Sequence, residues 1–210
     1  MSLYDIEIQK FVESSHKVAA YGLVRCSSGN LSFRIERDVA LLSASQSWLA
    51  ELTADQVAIC DIPTGRCLND KTPTCESSFH LGILKKRPEM NTVLHFQSPY
   101  ATAIACGKPE TYDYNMVIEV PVYIGTPVVV PYLPPGSGQL AQAVIDGFRD
   151  TQTTMAILKK HGLVTVGKDY NEAIQRAVFF EMACQILLTN PTAEPLSPDD
   201  VNYLRDIGQA

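Results

Sequence analysis

Long apolar runs are missing from this sequence: no stretch approaches the ~18 uncharged apolar residues that a membrane-spanning helix requires, so no membrane partner is expected. An apolar leader is missing too, since the first twenty residues carry Asp5, Glu7, Lys10, Glu13 and Lys17. The six cysteines, at 26, 60, 67, 75, 106 and 184, contain no CxxC spacing, and the chain reads as cytoplasmic with free thiols. Positive charge is scarce: 17 Lys+Arg against 23 Asp+Glu give a net charge of -6, which excludes a cationic face for nucleic acid. The one basic cluster, Lys85-Lys86-Arg87, ends a predicted helix and reads as a solvated helix end. With only four histidines, at 16, 80, 95 and 161, any imidazole metal site draws on very few candidates.

What is present is ordinary globular composition. At 210 residues with 46% hydrophobic and 19% charged content, the chain suits one domain spanning 1–210. A chain of this length buries about 70% of its unfolded surface, so it needs neither metal nor disulfide to fold, and a metal site here would be functional.

Periodicity predicts an amphipathic helix from Tyr4 to about Ala20, then short strands at 31–35, 39–43 and 57–61. Pro73 is expected to open a helix running to Lys86, followed by a strand at Thr92–Phe96, a helix from Ser98 to Cys106 and a strand near 128–131. Ser137 caps a further helix; 155–158 and 163–166 read as a hairpin; Asp169 and Glu172 are spaced as a capping box for a helix to Leu188. That helix is apolar over most of its circumference, which predicts burial on two sides. A last helix runs from Asp199 to about Ile207. Grouped strands between covering helices predict an α/β fold, three-layer α/β/α, around a mixed, largely antiparallel sheet.

Chemistry is concentrated in a few places. Alternation in a strand points His95 and Gln97 to the same side, either at a common site or, for His95, at a backbone carbonyl in the core. His161 beside Gly162 sits in a tight turn open to a ligand, or is there for turn geometry alone. Glu76 and His80 stand four apart on the predicted helix, a spacing that serves a metal or an ordinary hydrogen-bonded pair, with His80 the better candidate for packing. Ser27-Ser28-Gly29-Asn30 has the makings of an oxyanion nest or a plain turn. His16 reads as a surface side chain, Glu181 as a partnered structural carboxylate, and Tyr112 and Tyr114 as loop phenols able to act as an acid.

Taken in order, Ser-Ser-Gly-Asn-Leu-Ser (27–32), Pro-Thr-Cys-Glu (73–76) followed by Phe-His, Leu-His-Phe-Gln-Ser-Pro-Tyr (94–100) and Lys-His-Gly-Leu (160–163) resemble the class II aldolase/adducin family, nearest its L-fuculose-1-phosphate aldolases. The resemblance spans roughly residues 4–190. It implies a Zn2+ or other divalent ion held by His95, Gln97 and His161, with Glu76 as alternate ligand and base. Gln97 departs from the pattern, standing where the family has a second histidine. The implied phosphate pocket comprises Ser27, Gly29, Asn30, Ser45, Thr74 and Cys75, with Ser45-Gln46 and Thr74-Cys75 in place of a threonine-glycine and a serine pair. A tyrosine, Tyr114 or one nearer the C-terminus such as Tyr203, is implied to handle the proton at the aldehyde oxygen. The implied reaction is cleavage of a ketose 1-phosphate, L-fuculose 1-phosphate foremost, to dihydroxyacetone phosphate and a hydroxyaldehyde such as L-lactaldehyde. The alternatives are a sugar-phosphate 4-epimerase of the L-ribulose 5-phosphate type and a non-catalytic adducin-like module. The implied partners are a small sugar phosphate and further copies of the chain, as a homotetramer.

Overall fold

The computed structural model describes residues 4–209. Seven strands form one sheet in the order β3-β2-β1-β4-β7-β6-β5. They are β1 (Asn30–Glu36), β2 (Val39–Ser43), β3 (Val57–Asp61), β4 (Thr92–Phe96), β5 (Val128–Val130), β6 (Met155–Leu158) and β7 (Gly162–Gly167). All pairings are antiparallel except β5 with β6. Helices α1 (Asp5–Ala20), α3 (Pro99–Ala105) and α5 (Tyr170–Thr189) share a core with one face, and α2 (Ser77–Lys86) and α4 (Gly138–Gly147) share a core with the other. The predicted three-layer α/β/α architecture with a mixed, largely antiparallel sheet is therefore what forms.

Central β4 decides where the chemistry sits. All five of its residues are buried, because helices cover both of its sides. Leu94 and Phe96 enter the core under α1, α3 and α5, while Val93 enters the core under α2 and α4. Alternation then turns His95 to the α2 side.

The capping signals act locally as read. Ser137 Oγ accepts from the Leu140 N–H at 3.1 Å, and Asp169 Oδ1 from the Glu172 N–H at 2.9 Å. The Glu172 carboxylate, however, reaches the N–H of Lys168, one residue before the cap. Glu181 is a partnered carboxylate as expected, accepting from Ser98 Oγ at 2.7 Å and from the Tyr100 and Ala101 N–H groups at 2.9 and 2.8 Å. It thereby caps α3 and fixes the exit from β4.

Three expectations are corrected. Helix α2 begins at Ser77, not Pro73: Pro73 pairs with Ala44 in an isolated bridge, and the Thr74 N–H goes to the Ser43 carbonyl at 3.0 Å, so residues 73–76 prolong strand-like contacts before the helix starts. Arg87 is not solvated but 1% exposed. Its Nη1 donates to the carbonyls of Phe148, Asp150 and Thr153, its Nη2 to that of Thr151, and its Nε to Glu89, tying down the loop after α4. Helix α5 buries one stripe, Ala173, Ile174, Ala177, Phe180, Ala183 and Cys184, and leaves Leu188 exposed, so within one chain it is covered on one side only.

Residues 107–127 join α3 to β5. They contain a 3-10 turn at Pro109–Thr111 and a π-turn at Val120–Ile124, onto which α6 (Pro198–Gln209) packs.

Candidate metal centre

Register brings the site together. Asn30 on β1 lies opposite His95 on β4, and His95 lies opposite Val164 on β7, so the ends of three adjacent strands meet. The hairpin joining β6 to β7 carries His161 at that same end. Here Lys160, with φ +60°, takes the left-handed conformation, so His161 is spared that strain and its ring faces the sheet end. Close approach explains Gly162: a methyl group there would lie 2.7 Å from the Phe96 carbonyl oxygen, 2.8 Å from Gln97 Cγ and 3.1 Å from His95 Cε1.

Glu76, the residue before α2, points its carboxylate between the two imidazoles. His95 Nε2 is 3.5 Å from Glu76 Oε2 and His161 Nε2 is 3.4 Å from Glu76 Oε1, while the His95 and His161 rings meet edge to face at 4.8 Å. One donor atom from each of Glu76, His95 and His161 falls within 4.8 Å of the others, forming a group able to hold a divalent cation. His95 Nδ1 is 2.9 Å from the Leu163 carbonyl, so that nitrogen carries the proton and Nε2 turns its lone pair to the cluster. His95 Nδ1 thus meets the backbone carbonyl that one reading expected, while its Nε2 faces Glu76 in the cluster.

The donor set fits a divalent ion. Glu76 Oε1 and His161 Nδ1 are buried without a hydrogen-bond partner among the described residues. Leaving a buried carboxylate oxygen unpaired costs about 1–3 kcal/mol or more, and a cation beside it removes that cost. Two imidazole nitrogens and one carboxylate are the protein donor set of open catalytic zinc sites. Burial pushes the Glu76 carboxyl up, but His95, the Asn30 amide and His161 outweigh it and hold it below its ordinary value. Burial and then the neighbouring His95 lower the His161 imidazole, against the pull of Glu76, which keeps it neutral and available as a ligand.

A buried relay stands behind the carboxylate. Asn30 Nδ2 donates to Glu76 Oε2 at 2.9 Å, and Asn30 Oδ1 accepts from His80 Nε2 at 2.5 Å. His80 Nδ1 accepts from Ser32 Oγ at 2.7 Å. His80 is fully buried, and burial lowers its pKa to about 3, consistent with a neutral ring bonded at both nitrogens. Sequence reasoning placed His80 in a supporting role but missed Ser32. The signal was there, since Asn30 and Ser32 alternate onto one face of β1.

The expected phosphate residues lie on three converging segments. Leu31 N–H donates to Ser43 Oγ at 3.2 Å, and the Ser45 N–H to the Thr72 carbonyl at 2.9 Å, drawing residues 27–31, 43–46 and 72–76 together. Ser27, Ser45 and Cys75 are exposed, Gly29 is half-buried and Thr74 is buried with its Oγ1 accepting from the Glu76 N–H. Gln46 takes φ +63°, the left-handed conformation a glycine adopts freely. The Asn30 amide, by contrast, is occupied at both ends by Glu76 and His80 rather than turned outward.

Two expected site residues differ in position. Gln97 passes close to Gly162, but its amide makes no hydrogen bond among the described residues, while its N–H donates to the Leu23 carbonyl at 3.0 Å. Tyr114 is not in the cluster: it is buried against Phe180 and its hydroxyl donates to the Pro109 carbonyl at 2.6 Å, because the 109–115 turn folds inward onto α5. Tyr203 lies on α6 and is 67% exposed. His16 is exposed, its Nε2 against the Leu52 carbonyl. No helix among the described residues is long and apolar enough to cross a membrane.

Comparison with known proteins places the chain in a family. The profile of the Class II Aldolase and Adducin N-terminal domain matches residues 9–188. A 3-oxo-tetronate 4-phosphate decarboxylase of Haemophilus influenzae is 30% identical over 184 residues, covering 85% of this chain and 82% of that protein. An L-fuculose phosphate aldolase of Methanococcus maripaludis is 29% identical over 86% of this chain and 95% of its own length. Among solved structures, YgbL of Klebsiella pneumoniae, described as a putative aldolase/epimerase/decarboxylase, superposes with a TM-score of 0.85 at 25% identity, covering 94% of this chain and 97% of its own. The L-fuculose-1-phosphate aldolase of Thermus thermophilus shares the fold, with a TM-score of 0.74 at 20% identity over 86% of this chain and 91% of its own. The family profile covers most of the sequence, and the chain belongs to the class II aldolase and adducin family.

Proposed function

We propose that this protein is a metal-dependent lyase that cleaves a ketose 1-phosphate, with L-fuculose 1-phosphate the first candidate, into dihydroxyacetone phosphate and a hydroxyaldehyde such as L-lactaldehyde. One observation carries the reading: a buried carboxylate oxygen, without a hydrogen-bond partner among the described residues, between two imidazoles at the joined ends of three strands. Glu76, His95 and His161 would hold the cation, Zn2+ before other divalent ions by its donor set. When bound, such an ion supplies Lewis-acid stabilisation of the enediolate charge left by carbon–carbon cleavage.

The chain's own groups do the rest. In the cleavage direction Glu76 would return to the enediolate carbon of the phosphate-bearing fragment a proton matching the one lost at the departing oxygen, and the relay through Asn30 and His80 fixes its orientation. Ser27, Gly29, Ser45, Thr74 and Cys75 would take the phosphate. Lactaldehyde release requires a proton to be handled at the departing oxygen, and Tyr114 is committed to Pro109. Association into a homo-oligomer, a tetramer in this proposal, would cover the open side of α5 and let another copy supply that group.

The commitment of Tyr114 favours one second reading, decarboxylation of a 3-oxo sugar acid phosphate, the reaction named for the Haemophilus relative. Loss of CO2 from a β-keto acid leaves the same kind of enediolate and needs no proton at a departing hydroxyl. The test is direct: zinc-loaded protein is incubated separately with L-fuculose 1-phosphate, L-ribulose 5-phosphate and 3-oxo-tetronate 4-phosphate. Aldehyde from the first supports the proposal, CO2 from the third supports the second reading, and an inverted pentulose phosphate alone overturns both. Loss of turnover in Glu76→Gln is expected in either case, and an unchanged rate refutes the role of Glu76.

A further inference from the structure

Edge strand β3 ends at Asp61, where the chain turns back sharply. Asp61 Oδ1 accepts from the Thr64 N–H at 2.9 Å, the Gly65 N–H reaches the Asp61 carbonyl at 2.8 Å, and Gly65 takes φ +73°. The returning arm places Cys67 opposite Cys60 in an antiparallel bridge. The backbone bonds flanking that bridge run from Asp61 N–H to Arg66 carbonyl, 2.8 Å, and from Leu68 N–H to Ile59 carbonyl, 2.6 Å. Cys60 and Cys67 therefore occupy a non-hydrogen-bonded pair, the position where facing side chains come closest. Such pairs have Cα atoms about 4.5 Å apart, inside the roughly 4.4–6.8 Å range a disulfide spans. Both thiols are free.

We propose that Cys60 and Cys67 are a site of reversible thiol oxidation, closing to a cross-strand disulfide with a small-molecule disulfide as oxidant. The order of events follows from exposure. Cys60 is fully buried and Cys67 half-buried, so the oxidant meets Cys67 first. The Cys67 thiolate attacks one sulfur of the oxidant, forming a mixed disulfide and releasing one thiolate. Cys60 sulfur, as its proton leaves to solvent, attacks Cys67 sulfur and expels the second thiolate. The protein loses two electrons and two protons, and the oxidant disulfide becomes two thiols. Burial and the adjacent Cys67 raise the Cys60 thiol, so it stays protonated and inert until Cys67 has reacted.

The pair is not isolated from the rest of the molecule. Cys67 Sγ donates to the Lys71 carbonyl at 3.0 Å and to Asn69 Oδ1 at 3.2 Å, and Asn69 is tied to Ile59 and Val57 of β3. Oxidation removes that thiol hydrogen from the strap that runs on through Thr72 to Thr74 and Glu76.

The test uses the full-length native protein, reduced, then treated with oxidised glutathione, quenched, alkylated and mapped by mass spectrometry. A linked peptide joining Cys60 to Cys67, lost on treatment with dithiothreitol, is expected. In Cys60→Ser the mixed disulfide with glutathione should persist on Cys67, and in Cys67→Ser position 60 should remain a free thiol. Thermal melts of both variants confirm that they are folded. Recovery of Cys60 and Cys67 as free thiols while exposed Cys26, Cys75 and Cys106 carry glutathione overturns the proposal, as does linkage of either to any other cysteine.

Discussion

Replacing Asn30 by alanine tests the relay most severely, because its amide joins the Glu76 carboxylate to the His80 imidazole. The substitution removes a hydrogen bond to an ionised carboxylate, worth about 1.5–3 kcal/mol, and leaves the His80 N–H buried without an acceptor at about 1–3 kcal/mol more. A net loss of about 3–5 kcal/mol is expected, a large part of the roughly 5–15 kcal/mol that holds a domain folded. Urea unfolding of the metal-free protein reads this loss directly. Competition for zinc with a chromophoric chelator reads the second effect, a weakening of about 10–100-fold, as for groups that orient a metal ligand. Asn30→Asp gives the internal check: it keeps an acceptor for His80 but sets a second carboxylate beside Glu76, so its stability loss should be smaller at pH 5 than at pH 8. A change below about 1 kcal/mol for Asn30→Ala, with zinc affinity unaltered, would refute the claim that Asn30 supports the carboxylate.

Other outcomes follow from the same geometry. Gln97→His should raise zinc affinity about tenfold or more if the added imidazole reaches the ion, since about 1.4 kcal/mol corresponds to a decade; equal retention by both forms places residue 97 outside the coordination sphere. His80 is neutral in the fold with a pKa of about 3 against an ordinary 6.5, so the unfolded chain binds the extra proton and stability falls as pH drops from 6.5 toward 3. In His80→Gln that slope should flatten, measured by urea midpoints across the pH series. Arg87→Met should cost at least about 3 kcal/mol by stripping four loop carbonyls of their donor, whereas a loss under about 0.5 kcal/mol is what a solvated helix end would show.

The layer order and most element positions were legible because they rest on local signals. Strand alternation in 92–96, the Ser137 and Asp169 caps and the amphipathic face of α1 act within a few residues of chain. The start of α2 was misread because Pro73 is a good first helical residue in isolation, and only pairing with Ala44 across the molecule claims it for the sheet side. Arg87 was misread for the same kind of reason, since its carbonyl partners lie about sixty residues further along the chain. The π-turn at 120–124 has a period that matches neither strand nor α-helix.

By itself the sequence determined which side chains are chemically capable: Glu76, His95 and His161 stand out because histidines are few and each sits at a strand end, a turn or a helix start. Only the tertiary structure decided that these three meet, that Asn30 serves the carboxylate through His80 and Ser32, and that Tyr114 turns into the core. The physical reason is one of range. Propensity, alternation and capping are interactions between near neighbours, whereas a shared cation site requires groups tens of residues apart to be held within a few ångströms, and that is fixed by strand register and by the packing of buried side chains.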